Sequence, residues 1–356
     1  VLLMTSLIPL IVAGYIGYQN SLGLREIATN SSHNIASLAM TDSTAALSRE
    51  KEIDLTYRTS AIAGDINEIL TRVEADTAQL AAYATFLYNN ADSYGRYPLP
   101  TNYTYAANGS FGSQEPNENS WLVASTLGLD ADRQVSQALL DEIHLTEFMD
   151  VKFRSIANNN PYAVQLYLNT SSQLSRGMPF IVGDYLWIDA TEQFPAEMDL
   201  GAFDFFFLAD AEHNPAREPV WTELYWDPAG LGWMVSSIAP VYVEDALKGV
   251  VGIDITLGKM IDEILNMQVE QTGFAFLMSD SGQAIAFPER ASDFLGFDGS
   301  LSGDFGNDEE FAFFLTETDN HSLLQIINEM VAGETDLTTY TIDKDGAEIS
   351  TFFAYH

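Results

Sequence analysis

The feature that most constrains the fold is a long stretch without helix-breaking residues near the start of the chain. Residues 21–89 contain no proline and only two glycines. Toward the end of this stretch, apolar side chains recur at three- and four-residue steps, with a polar gap at Asp76: Ile62, Ile66, Ile69, Val73, Leu80, Tyr83 and Leu87. This spacing predicts a long amphipathic helix over residues 21–89. Its apolar stripe either packs against its own domain or forms the seam of a homodimer.

The residues before this helix are uncharged and almost wholly apolar, reading VLLMTSLIPLIVAGYIGY over residues 1–18. A membrane-spanning helix needs about 20 such residues. We therefore expect a transmembrane helix, truncated at its start, over residues 1–20, and an extracytoplasmic globular part anchored by it. A secretory signal peptide is the alternative interpretation.

The charge balance restricts the partners of the chain. It has 51 Asp and Glu against 15 Lys and Arg, a formal net charge of −36. Such a surface repels nucleic acid and anionic lipid. The chain has no cysteine, which rules out disulfides and thiolate metal sites. We expect no cofactor.

Asparagine acceptor sequences of the Asn-x-Ser/Thr type agree with an exported surface, although such sequences also arise often by chance. They occur at Asn30, Asn102, Asn108, Asn169 and Asn320.

The composition changes after residue 89. Residues 89–120 are rich in Asn, Gly, Pro and Ser and are interpreted as a long surface loop, and helical sequence returns over residues 130–158. Strand-like runs follow: AVQLYLNT (163–170), MPFIVGDYLWID (178–189), FDFFFLAD (203–210), GWMVSSIAPVYV (232–243) and LKGVVGIDI (247–255). Strands that follow helices and are joined by turns predict an α+β fold with an antiparallel sheet.

A second, smaller module with the same kinds of element is expected over residues 257–356. It begins with a linker helix over residues 257–270, and hairpin patterns follow at residues 272–288 and 337–356, with helical sequence at 308–315 and 322–333 between them. A sheet of this kind needs a further strand, so the module is expected to be incomplete. The predicted organisation is a transmembrane helix (1–20), a long helix (21–89), a first module (90–256) and the incomplete second module (257–356).

One stretch carries a family resemblance. The run NPAREPVW…YWDPAGLGWMVSSIAPVY…LKGVVGIDITL, between residues 214 and 257, resembles the end of the membrane-distal module of double Cache domains. These are extracytoplasmic sensor domains of transmembrane histidine kinases and chemoreceptors. The resemblance implies two stacked PAS-like modules along a long N-terminal helix. It also implies that the distal module binds a small organic ligand, such as an amino acid, amine, carboxylate or purine.

The resemblance also points to particular residues. Asp254 in GVVGID matches an aspartate that pairs with the ligand ammonium in amino-acid-binding members. Arg217 and Trp221 lie in the expected region, but their spacing departs from the Arg-x-Trp-Tyr pattern of those members.

The residue types support a ligand site independently of the resemblance. A carboxylate on a mostly buried strand is costly unless it is paired. A ligand ammonium at Asp254 would satisfy it, with aromatic walls from Trp187, Trp221, Tyr225 and Tyr242. Arg217 and Asp227 complete the candidate set, although the sequence around Asp227 also favours a simple turn. The alternative is that Asp254 caps backbone amides and the aromatic residues belong to the core.

The sequence contains no catalytic signature such as His-Glu-x-x-His, a phosphate loop or a Gly-x-Ser-x-Gly elbow, and no enzyme activity is expected. Two functions remain. The chain is either the small-molecule-sensing domain of a membrane receptor or a structural subunit of an extracellular filament whose apolar N-terminal helix forms the packing core. Fold alone does not decide between them.

Overall fold

The computed structural model describes most of the chain. The described residues are 2–95, 103–113, 120–179, 196–226, 233–256, 273–286, 291, 314–318, 320–344 and 347–355. Within these ranges, only the backbone is described at residues 2–18, 20, 226, 233, 285–286, 340–344 and 347–352. The predicted linker helix at 257–270, the helix at 308–315 and most of the strand at 178–189 lie outside the described residues.

Helix α1 spans Leu2–Asn89 and confirms the helix expected over residues 21–89. Near its end, Val73, Thr77, Leu80, Ala84 and Leu87 are buried at three- and four-residue steps. At the polar gap in the sequence pattern, the buried position is taken by Thr77. Its hydroxyl donates to the Val73 carbonyl oxygen at 2.9 Å. A polar residue can therefore occupy the buried face without an unsatisfied hydroxyl.

The chain divides into two compact units, Val1–Thr59 and Ser60–His356. The first is the N-terminal part of α1, on which large apolar side chains such as Leu24, Ile35 and Met40 are exposed. Within the described part of the chain, no helix combines the length and the hydropathy of a membrane span. The side chains of residues 1–18, on which the expected transmembrane helix depends, are outside that part.

The core of the second unit is one antiparallel sheet, as the α+β prediction requires. Eight strands follow one another in the order β1-β2-β3-β5-β4-β9-β8-β6, and β7 also pairs with β8. The strands are β1 (Tyr103–Tyr105), β2 (Phe111–Ser113), β3 (Trp121–Ala124), β4 (Gln165–Thr170), β5 (Leu174–Met178), β6 (Val220–Trp221), β7 (Tyr225–Trp226), β8 (Trp233–Val243) and β9 (Ala246–Thr256).

The two faces of this sheet bury different sets of residues, because side chains alternate along a strand. On one face, Val251, Ile253 and Ile255 of β9 pack in a cluster that contains Val73 and Leu80 of α1. On the other face, Val250 packs with residues of the segment that follows residue 196, including Phe205. Every even-numbered residue of β9 in this region therefore points away from α1.

Helices pack against parts of both faces of the sheet. Two of the sequence predictions for this region were wrong. α2 (Gln137–Thr146) and α3 (Met149–Asn159) fill the region expected to be helical. FDFFFLAD, expected as a strand, contains helix α4 (Asp204–Phe207), whose Phe205 and Phe206 pack against the sheet. Strands β1 and β2 lie in the segment expected to be a surface loop, where Phe111 is buried at the sheet edge.

In the region predicted as the second module, the described residues form two hairpins and a helix. β10 (Leu277–Met278) pairs with β11 (Ala284–Ala286), and β12 (Asp336–Lys344) pairs with β13 (Ala347–Tyr355) over nine residue pairs. Helix α5 (His321–Val331) is capped at its N-terminus by Asn320. Tyr355 of β13 donates to the Glu329 carboxylate of α5 at 2.5 Å. Burial and this carboxylate raise the pKa of Tyr355, so it stays protonated and keeps the hairpin bonded to the helix.

A buried arginine joins the helices to the sheet. Arg176 of β5, 1% exposed, donates to the Thr146 hydroxyl, the Ile143 carbonyl and Ser120 Oγ, the last at 2.8 Å. Ser120 Oγ donates in turn to Asp150 Oδ1 at 2.5 Å, which places the guanidinium 3.9 Å from that carboxylate. Burying two charges is costly, so their mutual pairing is what makes this burial tolerable.

We expect Arg176→Met to destabilise the fold strongly, because it leaves the Asp150 carboxylate buried without its cation. Removing one partner of a buried pair costs about 3–5 kcal/mol. Arg58→Met is the matched control, since Arg58 bonds Asp54 on the exposed surface of α1 at 2.8 Å. That change should cost less than about 1 kcal/mol. Urea unfolding of both variants measures the difference, and equal losses would contradict a special role for Arg176.

Candidate functional site

Asp254 lies in the middle of the sheet, on the face opposite α1. It is 2% exposed, and its neighbours across the ladder are Ser236 on β8 and Gln165 on β4. Directly paired residues on one face of a sheet have Cβ atoms about 5 Å apart. The three polar side chains of Asp254, Ser236 and Gln165 therefore form one row across three adjacent strands.

The Asp254 carboxylate terminates an ordered chain of hydroxyls. Ser236 Oγ donates to Asp254 Oδ1 at 2.6 Å, and the Tyr225 hydroxyl lies 2.7 Å from Ser236 Oγ. Because a serine hydroxyl has a single proton, which goes to Asp254, the Tyr225 hydroxyl must be the donor to Ser236. At Oδ1 the carboxylate therefore accepts a hydrogen bond from a side-chain hydroxyl on the neighbouring strand.

Aromatic rings lie next to this polar row. The Tyr167 ring covers Gly252, where a Cβ atom would lie 2.1 Å from Tyr167 Cζ. The Phe205 ring centroid lies 6.1 Å from that of Tyr167 and 6.0 Å from that of Tyr225. Gly252 therefore leaves space that a large ring fills, two residues from Asp254 on the same face. Polar groups next to aromatic faces are also found in small-ligand sites.

Of the residues predicted from the sequence, the structure brings Tyr225 and Asp254 together and places Trp221 elsewhere. Trp221 lies on the α1 face of the sheet, where its indole N–H donates to Glu74 Oε1 at 2.7 Å. The expectation that Trp221 forms a wall around Asp254 is therefore wrong. The physical reason is alternation: Val220 faces the site side and Trp221, the next residue, faces the helix.

Arg217 and Tyr242 lie at the turn that joins β8 to β9. The Arg217 guanidinium carbon lies 4.0 Å from the centroid of the Tyr242 ring, and the same group bonds the Glu244 carbonyl and the Asp245 carboxylate. Tyr242 is six residues along β8 from Ser236, a separation of roughly 20 Å at about 3.3 Å per residue. These two residues form a turn contact remote from Asp254, so their assignment to the same site is corrected.

Two predicted site residues, Trp187 and Asp227, lie outside the described residues. Of the glycosylation candidates, Asn102 also lies outside them, whereas Asn30 and Asn320 are exposed. Asn169 is 4% exposed, and its amide oxygen accepts a bond from Ser175, so the folded chain does not present it for modification. Asn108 is partly buried in a turn and accepts bonds from Ser110. No cluster of three or more acidic or histidine ligands suited to a metal ion occurs among the described residues.

Sequence reasoning missed Ser236, Gln165 and Tyr167, which belong to the site. They lie within runs that were predicted as strands, so their local structure was available. What was missing was the register that places Gln165 and Ser236 on either side of Asp254. A usable signal existed in GVVGID, where Gly252 and Asp254 must share one face and the glycine indicates a bulky neighbour across the ladder.

The segment of residues 220–226 connects the site to two other parts of the unit. Tyr225 reaches the site through Ser236, and Trp221 reaches α1 through Glu74. Between them, the Leu224 N–H donates to Gln283 Oε1 at 3.0 Å, and Gln283 Nε2 donates to the Leu224 carbonyl at 3.3 Å. Gln283 belongs to the β10–β11 hairpin region of the second module and is 2% exposed. One short segment therefore contacts the site, the helix and the second module.

No protein-family model matches this sequence, and no curated protein matches it. Among solved structures, the ligand-binding domain of the Pseudomonas aeruginosa PAO1 amino acid chemoreceptor PctC, in complex with GABA, is 14% identical over 85% of this chain and 90% of its own, with a TM-score of 0.43. The extracellular domain of mmHK1S-Z3, assigned as a histidine kinase, is 15% identical over 58% of this chain and 73% of its own, with a TM-score of 0.38. The ligand-binding domain of the Campylobacter jejuni chemoreceptor Tlp3, in complex with 4-methylisoleucine, is 11% identical over 67% and 69%, with a TM-score of 0.38. Likeness at this level does not define a ligand or an activity.

We expect Gly252→Ala to destabilise the protein, because the added methyl group has to displace the Tyr167 ring. Overpacking of this kind costs about 1–3 kcal/mol. The matched control is Gly64→Ala, since a Cβ at this position of α1 meets nothing within 4 Å. That substitution should stabilise the helix by up to about 1 kcal/mol. Thermal unfolding midpoints should therefore move in opposite directions, and a neutral Gly252→Ala would show that the ring does not need the glycine.

Proposed function

We propose that this chain is the extracytoplasmic sensing domain of a membrane-anchored receptor of the histidine kinase or chemoreceptor type. It binds a small organic ligand in the first module, where Asp254 contacts the ligand's cationic group. The chain senses and does not catalyse. The observation that carries this proposal is a carboxylate, 2% exposed, held in place by an ordered hydroxyl chain on an aromatic-lined sheet face.

The physical support comes from the cost and the chemistry of that carboxylate. Burying a charge costs free energy, and a partner of opposite sign offsets that cost. Aromatic faces next to a carboxylate favour a ligand ammonium, because they attract a cation while excluding water. The rings of Tyr167, Phe205 and Tyr225 supply such faces on this side of the sheet. An amine or an amino acid is therefore favoured over a ligand without a cationic group.

The arrangement of the chain supports a receptor. A long helix precedes two modules in sequence order, as in the sensor domains that residues 214–257 resemble. The exposed apolar side chains of the N-terminal unit, among them Leu24, Ile27, Ile35 and Leu38, suit pairing with a second copy of the chain. In this proposal, residues 1–20 anchor the chain in the membrane and α1 forms the dimer contact.

The alternative of a filament subunit gains no support from any part of the chain that the structure describes. A filament requires a surface that repeats between copies, whereas the polar row at Asp254 is a buried arrangement within one chain. We therefore retain the sensor as the proposed function.

The proposal is tested by measuring ligand-induced thermal shifts of the full chain against panels of amines, amino acids, purines and carboxylates. A ligand present at 100 times its dissociation constant should stabilise the protein by roughly 2.7 kcal/mol. Asp254→Asn keeps the size of the side chain and removes its charge, so we expect it to abolish the shift caused by a cationic ligand.

The control variant is Asp245→Asn, which removes a carboxylate that is 98% exposed at the remote β8–β9 turn. It should leave the ligand-induced shift unchanged, because that carboxylate lies far from Asp254. A folded protein that responds to no panel would count against sensing. A shift that survives Asp254→Asn would move the site away from this residue.

A further inference from the structure

The unit that spans Ser60–His356 contains separate hydrophobic clusters, and two of them lie in different sequence regions. The first core packs the sheet against α1 and includes Leu224 and Ile253. The second core includes Ile327 of α5 and Phe353 of β13. The contact between these two cores determines whether the regions around them open together or independently.

The segment that leads into β10 packs against both cores. Its odd-numbered residues, Ala275 and Leu277, pack against the first core. Its even-numbered residues, Phe274, Phe276 and Met278, pack against the second core. Successive side chains of an extended chain point to opposite sides, which explains this division. The segment is therefore a layer that the two cores share.

A bulge interrupts the pairing of the strands next to β8. Trp221 pairs with Ser237 and Tyr225 pairs with Met234, so three residues of one chain segment lie opposite two residues of β8. An extra residue of this kind leaves backbone groups without a partner in the ladder. Leu224 lies within this bulge and is 7% exposed, so its N–H and carbonyl need partners from outside the ladder.

Gln283, which is 2% exposed, supplies those partners. The Leu224 N–H donates to Gln283 Oε1 at 3.0 Å, and Gln283 Nε2 donates to the Leu224 carbonyl at 3.3 Å. A side-chain amide that bonds both backbone groups of one residue acts like a peptide group of an adjacent strand. The backbone of Gln283 is itself fixed by Ser279, whose N–H donates to the Gln283 carbonyl at 2.8 Å. The next residue, Ala284, belongs to the second core.

We propose that Gln283 is a joint that makes the two cores open as one cooperative unit. Its amide closes the bulge in the sheet of the first core, and its backbone leads directly into the second core. If the second core opens and withdraws Gln283, the buried N–H and carbonyl of Leu224 lose their partners, and the first core is destabilised. This inference goes beyond the proposed function, because the coupling exists without a ligand.

The first test compares two probes during urea unfolding of the full chain. All five tryptophans lie between residues 121 and 233, so tryptophan fluorescence reports on the region of the first core. Hydrogen exchange of the Ile327 N–H in α5 reports on the second core. In the wild type, both probes should give one midpoint, as expected for a single cooperative unit.

Gln283→Met removes the amide and keeps an unbranched side chain of similar length. It should accelerate exchange at Ile327 about tenfold or more, because the second core can then open without leaving newly unpaired groups in the first. The exchange midpoint should fall below the fluorescence midpoint. Separate midpoints in the wild type, or a shared midpoint in Gln283→Met, would overturn the inference.

The matched control is Gln173→Met. The Gln173 amide also uses both ends, accepting from the Leu200 N–H at 2.8 Å and donating to Asp199 at 2.9 Å. These three residues all precede the second core in the chain, so the loss of both bonds should move the two midpoints together. Midpoints that separate in this control as far as in Gln283→Met would remove the special role of Gln283.

A measurement on the wild type keeps the inference testable even if Gln283→Met does not fold. The Leu224 N–H, whose acceptor is Gln283, should exchange through the same opening as Ile327, with the same dependence on urea. If Ile327 exchanges through an opening that leaves Leu224 protected, the cores open independently and the inference fails. That result would leave the proposed ligand site at Asp254 untouched, because its test depends on ligand-induced shifts.

Discussion

The long antiparallel ladder between β8 and β9 is the constraint on which the rest of the structure depends. Its register sets Ser236 opposite Asp254 and Ser237 opposite Ile253, and β4 continues the same register on the other side of β9. A slip of one residue would turn every side chain to the opposite face. Ile253 would then leave the cluster formed with α1, and Asp254 would be buried against that helix. The hydrophobic contact with α1 thus fixes the position of the carboxylate as firmly as any polar bond does.

The long helix, the α+β class and the hairpins were predictable because each rests on a local pattern. The helical periodicity of residues 62–87 can be recognised without knowing what the helix packs against. The pattern of LKGVVGIDI likewise indicates a strand without knowledge of its neighbours. FDFFFLAD was mistaken for a strand because a short apolar run fits both states, and packing against the sheet decides between them. The strands at residues 103–113 were missed because they are short and lie within a longer stretch, residues 89–120, that is rich in Asn, Gly, Pro and Ser. Only the pairing of β2 with β1 and β3 reveals them.

The site was less predictable than the fold, for the reason that sequence proximity does not determine which face a residue occupies. Trp221 and Tyr225 were grouped with Asp254 because all are near one another in a conspicuous aromatic run. In the fold, Tyr225 reaches Ser236 on one face and Trp221 reaches Glu74 on the other. Arg176, a buried cation of the same sheet, bonds Ser120 and lies beside Asp150 and not beside Asp254. Pairings of this kind depend on contacts between residues far apart in the chain.

Residues 220–226 contact both faces of the sheet, and this affects how the proposed sensor could respond to a ligand. The backbone of this segment is bonded to Ser236 through Thr222 and to Gln283 through Leu224, so a displacement of Tyr225 is resisted at both points. A ligand can shift a conformational equilibrium only by the difference in its affinity for the two states. In the proposed sensor, the Asp254–Ser236–Tyr225 chain would supply such a difference, because a cation bound at Asp254 would share the carboxylate with Ser236, which accepts the bond from Tyr225. Under that proposal, a change at this bond would act on a segment that also contacts α1 and Gln283. The proposed ligand position and the contacts of residues 220–226 are thus connected through side chains of a single hydrogen-bonded chain.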